Sequence, residues 1–361
     1  MLKVQGGARA PPGETRRKVK AEQVVWSALS LSFTINNSML RNRTSCSVVG
    51  TGFSLCELFR QAEACARKKC GNFRSMKRRE FILRTSVGAI ALDPFPHHLF
   101  AGSKKSASDR VKLGPMGVSL SRLAMGTGTN GSGGSSNQTK KMGLAGVADL
   151  FRAGYDQGVT FWDSADQYGT HPHLKEALKG VAREKVTIMT KTSASTEKEM
   201  RADLDRYRRE MGTDYIDIVL LHCMLEADWP ERKKGAMTVL SEAREKGVIK
   251  THGTSCHTIE ALKTAARTPW VQVDLARINP AGVAMDADPQ TVIGVLRQMK
   301  AAGKGVIGMK ILGAGKLRDK VDECLQFALS LDCLDCITIG SESRSELAEL
   351  VKKIPAASGR G

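Results

Sequence analysis

A closed (β/α)8 barrel is the fold that this 361-residue chain predicts, on three observations. Short β-rich runs recur along its C-terminal two thirds, helix-patterned stretches separate them, and successive runs end in polar groups of matched chemistry. Parallel strands joined by helices close most readily into a barrel, and the C-terminal ends of its strands then meet on one face.

The strand candidates, in order, are SRLAMG (121–126), VTFWD (159–163), VTIMTK (186–191), YIDIVLLH (215–222), VIKTHGTS (248–255), WVQVDL (270–275), GVIGMK (305–310) and CITIG (336–340). Each is rich in Val, Ile, Thr or aromatic residues, as a half-buried pleated surface requires. Between them lie stretches rich in Ala, Leu, Glu, Lys and Arg, such as 172–183, 196–211, 235–246, 257–267 and 288–302, which read as helices. An open doubly wound sheet is the rival architecture. It calls for a GxGxxG turn after the first strand with an acidic residue about 20 positions on; GTGTNG at 126–131 has that glycine spacing, but eight strand candidates separated by helices argue for the closed barrel. GTGTNGSGG at 126–134 lacks the Lys-Ser/Thr ending of a phosphate-binding loop and reads as a flexible connection.

Three runs carry the chemistry. Asp163 and Tyr168 sit in FWDSADQYG, Lys191 follows VTIMT, and His222 closes YIDIVLLH. Reducing a carbonyl demands a proton donor for the developing alkoxide, and a tyrosine with a pKa of roughly 10 needs help. An ammonium about 4 Å from the phenol oxygen stabilises the phenolate by roughly 4 kcal/mol at an effective dielectric of 20, before desolvation is subtracted. Lys191 is the candidate ammonium, Asp163 the carboxylate that holds it, and His222 the group that orients the carbonyl oxygen.

From about Val111 to Ile354 the chain resembles the aldo-keto reductase family: FWDSADQYG, MTKT and DYIDIVLLH match its aspartate-tyrosine segment, lysine strand and histidine strand. The resemblance implies a (β/α)8 barrel, a small-molecule carbonyl or alcohol substrate, and NADP(H) in preference to NAD(H). GVIKTHGTS resembles the strand with the nicotinamide-binding serine, here Ser255, and VQVD the strand with the amide-binding glutamine, here Gln272. KILGAGKL (310–317) resembles the pyrophosphate loop and implicates Lys310, Leu312 and Gly313. GSESRSELAEL (340–350) resembles the adenosine-phosphate segment and implicates Gly340, Ser341, Ser343 and Arg344.

Cys256 replaces the usual carboxamide-binding asparagine, Met309 the usual stacking tyrosine, and Glu342 stands near the place of a basic residue for the 2′-phosphate. Loss of the asparagine keeps a non-catalytic, nucleotide-binding barrel as the competing reading. The long C-terminal loop that closes many family pockets looks absent, which turns attention to Trp229 in the 223–234 loop and to His171 and His173 as pocket walls.

Three segments are expected: a disordered extension or upstream misreading at 1–75, a signal and linker at 76–108, and the barrel at 109–355. MKRREFILRTSVGAIAL (76–92) resembles a twin-arginine export signal, with Arg78 and Arg79 before Phe-Ile-Leu, and implies the export machinery as partner and a periplasmic location. Without use of that signal the location is cytoplasmic. Its apolar run is too short for a stable membrane span. The net charge of +18 is concentrated at the start, with 13 Lys and Arg against 4 Asp and Glu in 1–75, so it says little about the barrel. That segment has no zinc spacing or helix-turn-helix pattern, and no nucleic-acid partner is expected. Of nine cysteines, Cys333 and Cys336 form a lone CxxC, read as small buried side chains with an oxidisable pair as the alternative; no metal site is expected.

Overall fold

The computed structural model describes residues 104–358. An antiparallel hairpin, β1 (Arg110–Leu113) and β2 (Val118–Ser121), precedes eight parallel strands: β3 (Leu123–Gly126), β4 (Phe161–Asp163), β5 (Thr187–Thr192), β6 (Ile216–Met224), β7 (Ile249–Cys256), β8 (Val273–Arg277), β9 (Gly305–Met309) and β10 (Cys336–Gly340). These eight pair in sequence, and β10 bonds back to β3 to close the barrel. The expected fold is therefore present. The hairpin was not anticipated, and it takes Ser121 away from the first barrel strand.

Alternation sorts the strand residues into two cores. Ala124, Phe161, Met189, Ile218, Leu220, Val273, Leu275, Ile307 and Met309 fill the barrel interior, together with Leu113 and Leu120 of the hairpin. A methyl on Gly114 would meet the Gln272 carbonyl, and one on Gly305 would meet Leu113, so the hairpin stoppers the end where the strands begin. The opposite end stays available for chemistry. A second, larger core lies between barrel and helices and includes Trp162, Tyr207, Leu240 and Leu296.

The helices are α1 (Asn137–Asp156), α2 (His171–Leu178), α3 (Glu197–Met211), α4 (Trp229–Arg232), α5 (Lys234–Glu245), α6 (Ile259–Arg267), α7 (Pro289–Ala301), α8 (Val321–Ser330) and α9 (Arg344–Ser358). Their starts follow from side-chain caps. Ser136, Thr196, Thr258 and Asp288 accept from amides in the first turns of α1, α3, α6 and α7, and Gly212 ends α3 in the left-handed region at φ 65°. Residues 172–183 do not form one helix: α2 stops at Leu178 and a 3-10 turn covers Arg183–Lys185.

Trp229 is buried and its indole N–H donates to the Ala261 carbonyl at 3.3 Å, so it anchors α4 to α6 rather than walling a pocket. Cys333 and Cys336 are both buried as free thiols, the first in the outer core and the second inside the barrel. Among the described residues no helix is long and apolar enough to cross a membrane. The 1–75 extension and the twin-arginine-like segment lie outside the described residues.

Candidate active site

Asp163 ends β4, Lys191 lies near the end of β5, and His222 lies near the end of β6, so the barrel brings all three to one mouth. Lys191 is 1% exposed, which would be costly for an unpaired ammonium. It is paired. Its Nζ donates to Asp163 Oδ1 at 2.5 Å and to the Ser164 carbonyl at 2.8 Å. The other carboxylate oxygen of Asp163 accepts from Thr338 Oγ1 at 2.8 Å, a contact from β10 that fixes the carboxylate plane. Burial alone would lower the Lys191 pKa, but Asp163 and Tyr168 outweigh it and hold the ammonium above its ordinary value.

Tyr168 closes a 3-10 turn, Asp166–Tyr168, that Gly169 ends at φ 65°. Lys191 Nζ lies 4.9 Å from the centre of its ring, and the His222 ring meets it edge-on at 5.7 Å. Burial pushes the phenol pKa above 10.0, and the opposing pull of Lys191 is the smaller effect. Desolvation of the phenolate, the cost set against the Coulombic help of Lys191, is the larger of the two here. Gly128 and Gly131, in the loop read as flexible, pack on the same ring; a methyl on either would overlap it. That loop is a cradle for Tyr168.

His222 is aimed by a bulge. Leu221 pairs with Thr254 and Met224 with Cys256, so His222 and Cys223 together oppose Ser255, and the extra residue forces Cys223 to φ 62°. The Cys223 amide donates to Ser255 Oγ at 3.0 Å, and the Cys223 thiol lies 3.1 Å from His257 Nδ1. Burial, then Lys191 and His257, push the His222 pKa down to about 3, so its ring is neutral and carries a single N–H. His257 is also neutral near pH 7, with burial first and Arg277 second holding its pKa at about 4. Arg277 completes this rim: it donates to the His257 carbonyl at 2.6 Å and pairs with Asp286. Neither Arg277 nor His257 was singled out in the sequence, since an Arg at a strand end and a His in a loop carry no signal alone.

The other expected residues divide into two groups. Ser255 stands at the mouth, level with Leu275 on β8. Gln272 does not. It precedes β8 at the stoppered end, where its side chain accepts from Thr251 and its carbonyl from the Gly305 amide, so it cannot hold a carboxamide at the mouth. Cys256 faces outward, buried with its sulfur 3.6 Å from Asp274, and leaves the mouth as well. Met309 remains in the barrel interior as the last residue of β9. His171 is buried between Glu210 and Thr190 rather than lining a pocket, and His173 is only half-buried.

After β9, Lys310, Gly313, Ala314 and Gly315 all take positive φ, which coils residues 310–317 into a tight turn around Leu312 and Leu317. At the end of β10, Gly340 fits under Thr129 and Gln138 with no room for a side chain. Ser343 Oγ accepts from the Glu346 amide at 3.1 Å and caps α9, beside the exposed Arg344. Ser341 is buried with its hydroxyl unpartnered. The exposed Arg344 at the start of α9 suits the adenosine phosphate of a dinucleotide, and half-buried Lys310, within electrostatic reach of Lys191, Asp163 and Arg277, stands on the catalytic side. Ser255, Lys310, Gly313, Ser343 and Arg344 would hold it; Gln272 and Cys256 would not. Glu342 accepts from Asn137 at 2.9 Å and lies 3.6 Å from Lys141, which partly offsets its charge.

Residues 122–352 match the aldo/keto reductase family, well over half of the chain. The chain belongs to that family. Members of that family use nicotinamide cofactors. It is 23% identical over 220 residues to D-threo-aldose 1-dehydrogenase of a Pseudomonas species, a match covering 48% of this chain and 66% of that one. It is 36% identical over 111 residues to methylglyoxal reductase YeaE of Escherichia coli, covering 29% and 36%. The matched stretches thus span less than two thirds of these relatives. The aldo-keto reductase-type protein PA4992 of Pseudomonas aeruginosa shares the fold, with a TM-score of 0.58 and 22% identity over 71% of this chain and 98% of that one.

Proposed function

We propose that this chain reduces an aldehyde or ketone to an alcohol, or runs the reverse reaction, with Tyr168 as proton donor and NADP(H) as the preferred cofactor over NAD(H). The reading rests on the buried Lys191 ammonium, clamped by Asp163 and set beside the Tyr168 ring. A bound nicotinamide supplies or accepts the hydride. Tyr168 gives its proton to the carbonyl oxygen, Lys191 stabilises the phenolate left behind, and neutral His222 donates its N–H to the same oxygen. A phenol whose pKa lies above its ordinary value stays protonated at neutral pH and yields its proton only to a stronger base such as a developing alkoxide.

A non-catalytic, nucleotide-binding barrel is favoured by one observation, the outward turn of Cys256 away from the mouth. Mixing the full chain with NADPH or NADH and a panel of aldehydes and ketones, and following cofactor oxidation, decides between the two. Turnover of any carbonyl that disappears in Tyr168→Phe supports the reductase. Cofactor binding without turnover supports the other reading.

A further inference from the structure

The mouth residues are held by a charged network that none of their chemistry requires. Arg206, on α3, donates from Nη1 to Asp166 Oδ1 at 2.7 Å and from Nη2 to Asp166 Oδ2 at 2.8 Å, a two-pronged clamp on the turn that ends in Tyr168. The same guanidinium reaches Asp203 at 2.8 Å and Glu210 at 3.2 Å. Each of those carboxylates passes the contact on to β5. Asp203 accepts from Thr192 Oγ1 at 2.7 Å, and Glu210 contacts His171 Nδ1 at 2.8 Å, whose Nε2 lies 2.7 Å from Thr190 Oγ1. Thr190 and Thr192 flank Lys191. One guanidinium therefore ties the tyrosine turn and both neighbours of the lysine to a single helix.

We infer that Arg206 and Asp166 are positioning residues for carbonyl reduction, fixing the Tyr168 turn against the Lys191 strand; the inference rests on the tyrosine mechanism proposed above. The turn needs such a device. It is one 3-10 turn, Asp166 to Tyr168, with no side-chain cap, so its own backbone bonds fix it only weakly. Proximity of ammonium to phenol decides how readily the phenol releases its proton, and a drift of about 1 Å is enough to cost a large part of the rate. Arg206 carries two parallel bonds to Asp166, which restrict rotation as well as distance. His171 contributes a rigid link. Burial holds its pKa below the ordinary value, so the neutral ring donates from Nδ1 to Glu210 and accepts at Nε2 from the Thr190 hydroxyl. Asp166 itself stays ionised: burial acts to raise its pKa, but the bonds and charge of Arg206 outweigh burial and keep it below the usual carboxylate value.

Charge and geometry make opposite predictions for one variant, which makes the inference testable. Asp166→Asn removes a negative charge near Tyr168, so a purely electrostatic effect would ease phenol ionisation and leave turnover intact. Loss of the clamp would instead lower kcat by about tenfold or more and move the alkaline limb of reduction to higher pH, with cofactor affinity within about twofold of the parent. Arg206→Gln should give the same result, Arg206→Lys should recover part of the rate through a single bond, and the double variant Arg206→Gln/Asp166→Asn should be no worse than either single change. Hydrogen exchange on the full chain supplies a readout independent of activity: residues 164–170 should exchange faster in Asp166→Asn while β7 and β8 are unchanged. Parent-like kcat, pH limb and exchange in Asp166→Asn would overturn the clamp while leaving the tyrosine mechanism standing. Undiminished turnover in Tyr168→Phe would instead overturn the mechanism itself.

Discussion

Lys191 and Tyr168 come from different strand ends, yet the ammonium of one stands 4.9 Å from the ring centre of the other with Asp163 bonded behind it. The Asp163 carboxylate and the Ser164 carbonyl each take a bond from that ammonium, and its remaining interaction is with the Tyr168 phenol. A buried ion pair is weak evidence of stabilisation, because desolvation offsets much of its Coulombic gain. Its value here lies in chemistry.

Tyr168→Phe should lower carbonyl reduction by about 10² to 10⁴-fold, the usual contribution of a positioned general acid. Lys191→Met should do comparable damage, and it also strands Asp163, so it should lose thermal stability where Tyr168→Phe does not. Steady-state rates with calorimetric melting of both variants check this. Parent-like turnover in Tyr168→Phe would move the proton donor elsewhere.

The two directions of reaction should respond to pH differently. The phenol pKa is raised, with burial as the first cause, so reduction should be flat across neutral pH, and oxidation of an alcohol, which needs phenolate, should still be climbing near pH 10, the ordinary phenol value. His222 charges only near pH 3, so no limb near pH 6 or 7 should come from it. Rates in both directions over a pH series decide the matter; a limb near pH 6.5 abolished by His222→Gln would contradict the buried, neutral ring.

Gly128→Ala and Gly131→Ala should each reduce kcat while leaving the fold intact. Neither glycine has a positive φ, so the backbone tolerates alanine, and the largest disturbance is a methyl driven into the Tyr168 ring. Gly294→Ala, where nothing lies within 4 Å, serves as the control and should leave the rate unchanged. Equal rates in all three variants would show that the ring moves aside without consequence.

The barrel and the four mouth residues were legible because strand periodicity and the polar ends of successive runs are local patterns. Gln272 was misplaced for a physical reason: VQVD marks a strand but not its register, and register places Leu275 opposite Ser255. Sliding along the strand by three residues carries a side chain from the mouth to the stoppered end. The bulge at His222 and Cys223 was invisible for a similar reason, since it exists only against β7. GTGTNGSGG looked flexible because glycines permit flexibility, but here their missing side chains make room for Tyr168. The Arg206 clamp joins residues 40 positions apart, and no local pattern marks it.

Cofactor choice should respond to Glu342. Its carboxylate sits between Asn137 and Lys141 beside the start of α9, where a phosphate would be repelled by it. Glu342→Arg should tighten NADPH more than NADH, since only the former carries the 2′-phosphate that gains a partner. Fluorescence titration of both cofactors against parent and variant checks this, and an equal change for the two would show that residue 342 is remote from the ribose.

Asp274 should make the fold less stable as pH rises. It is fully buried between barrel and helices; Thr254 Oγ1 donates to its Oδ1 at 2.7 Å, but Oδ2 has no partner. Burial pushes its pKa up to about 7 from the ordinary 3.8. The sign follows from proton binding. Between pH about 4 and about 7 the folded chain holds a proton that the unfolded chain has released, so stability is full at the acid end of that window and is lost as pH climbs through it. The whole effect is on the order of 4 kcal/mol at most, at 1.36 kcal/mol per pKa unit. Asp274→Asn keeps the acceptor for Thr254, puts an uncharged amide where Oδ2 was, and removes the titration. Urea unfolding at pH 5 and pH 8 should then show the variant gaining on the parent at the higher pH. A parent–variant difference that is the same at both values would mean that Asp274 is already paired or hydrated in the folded state.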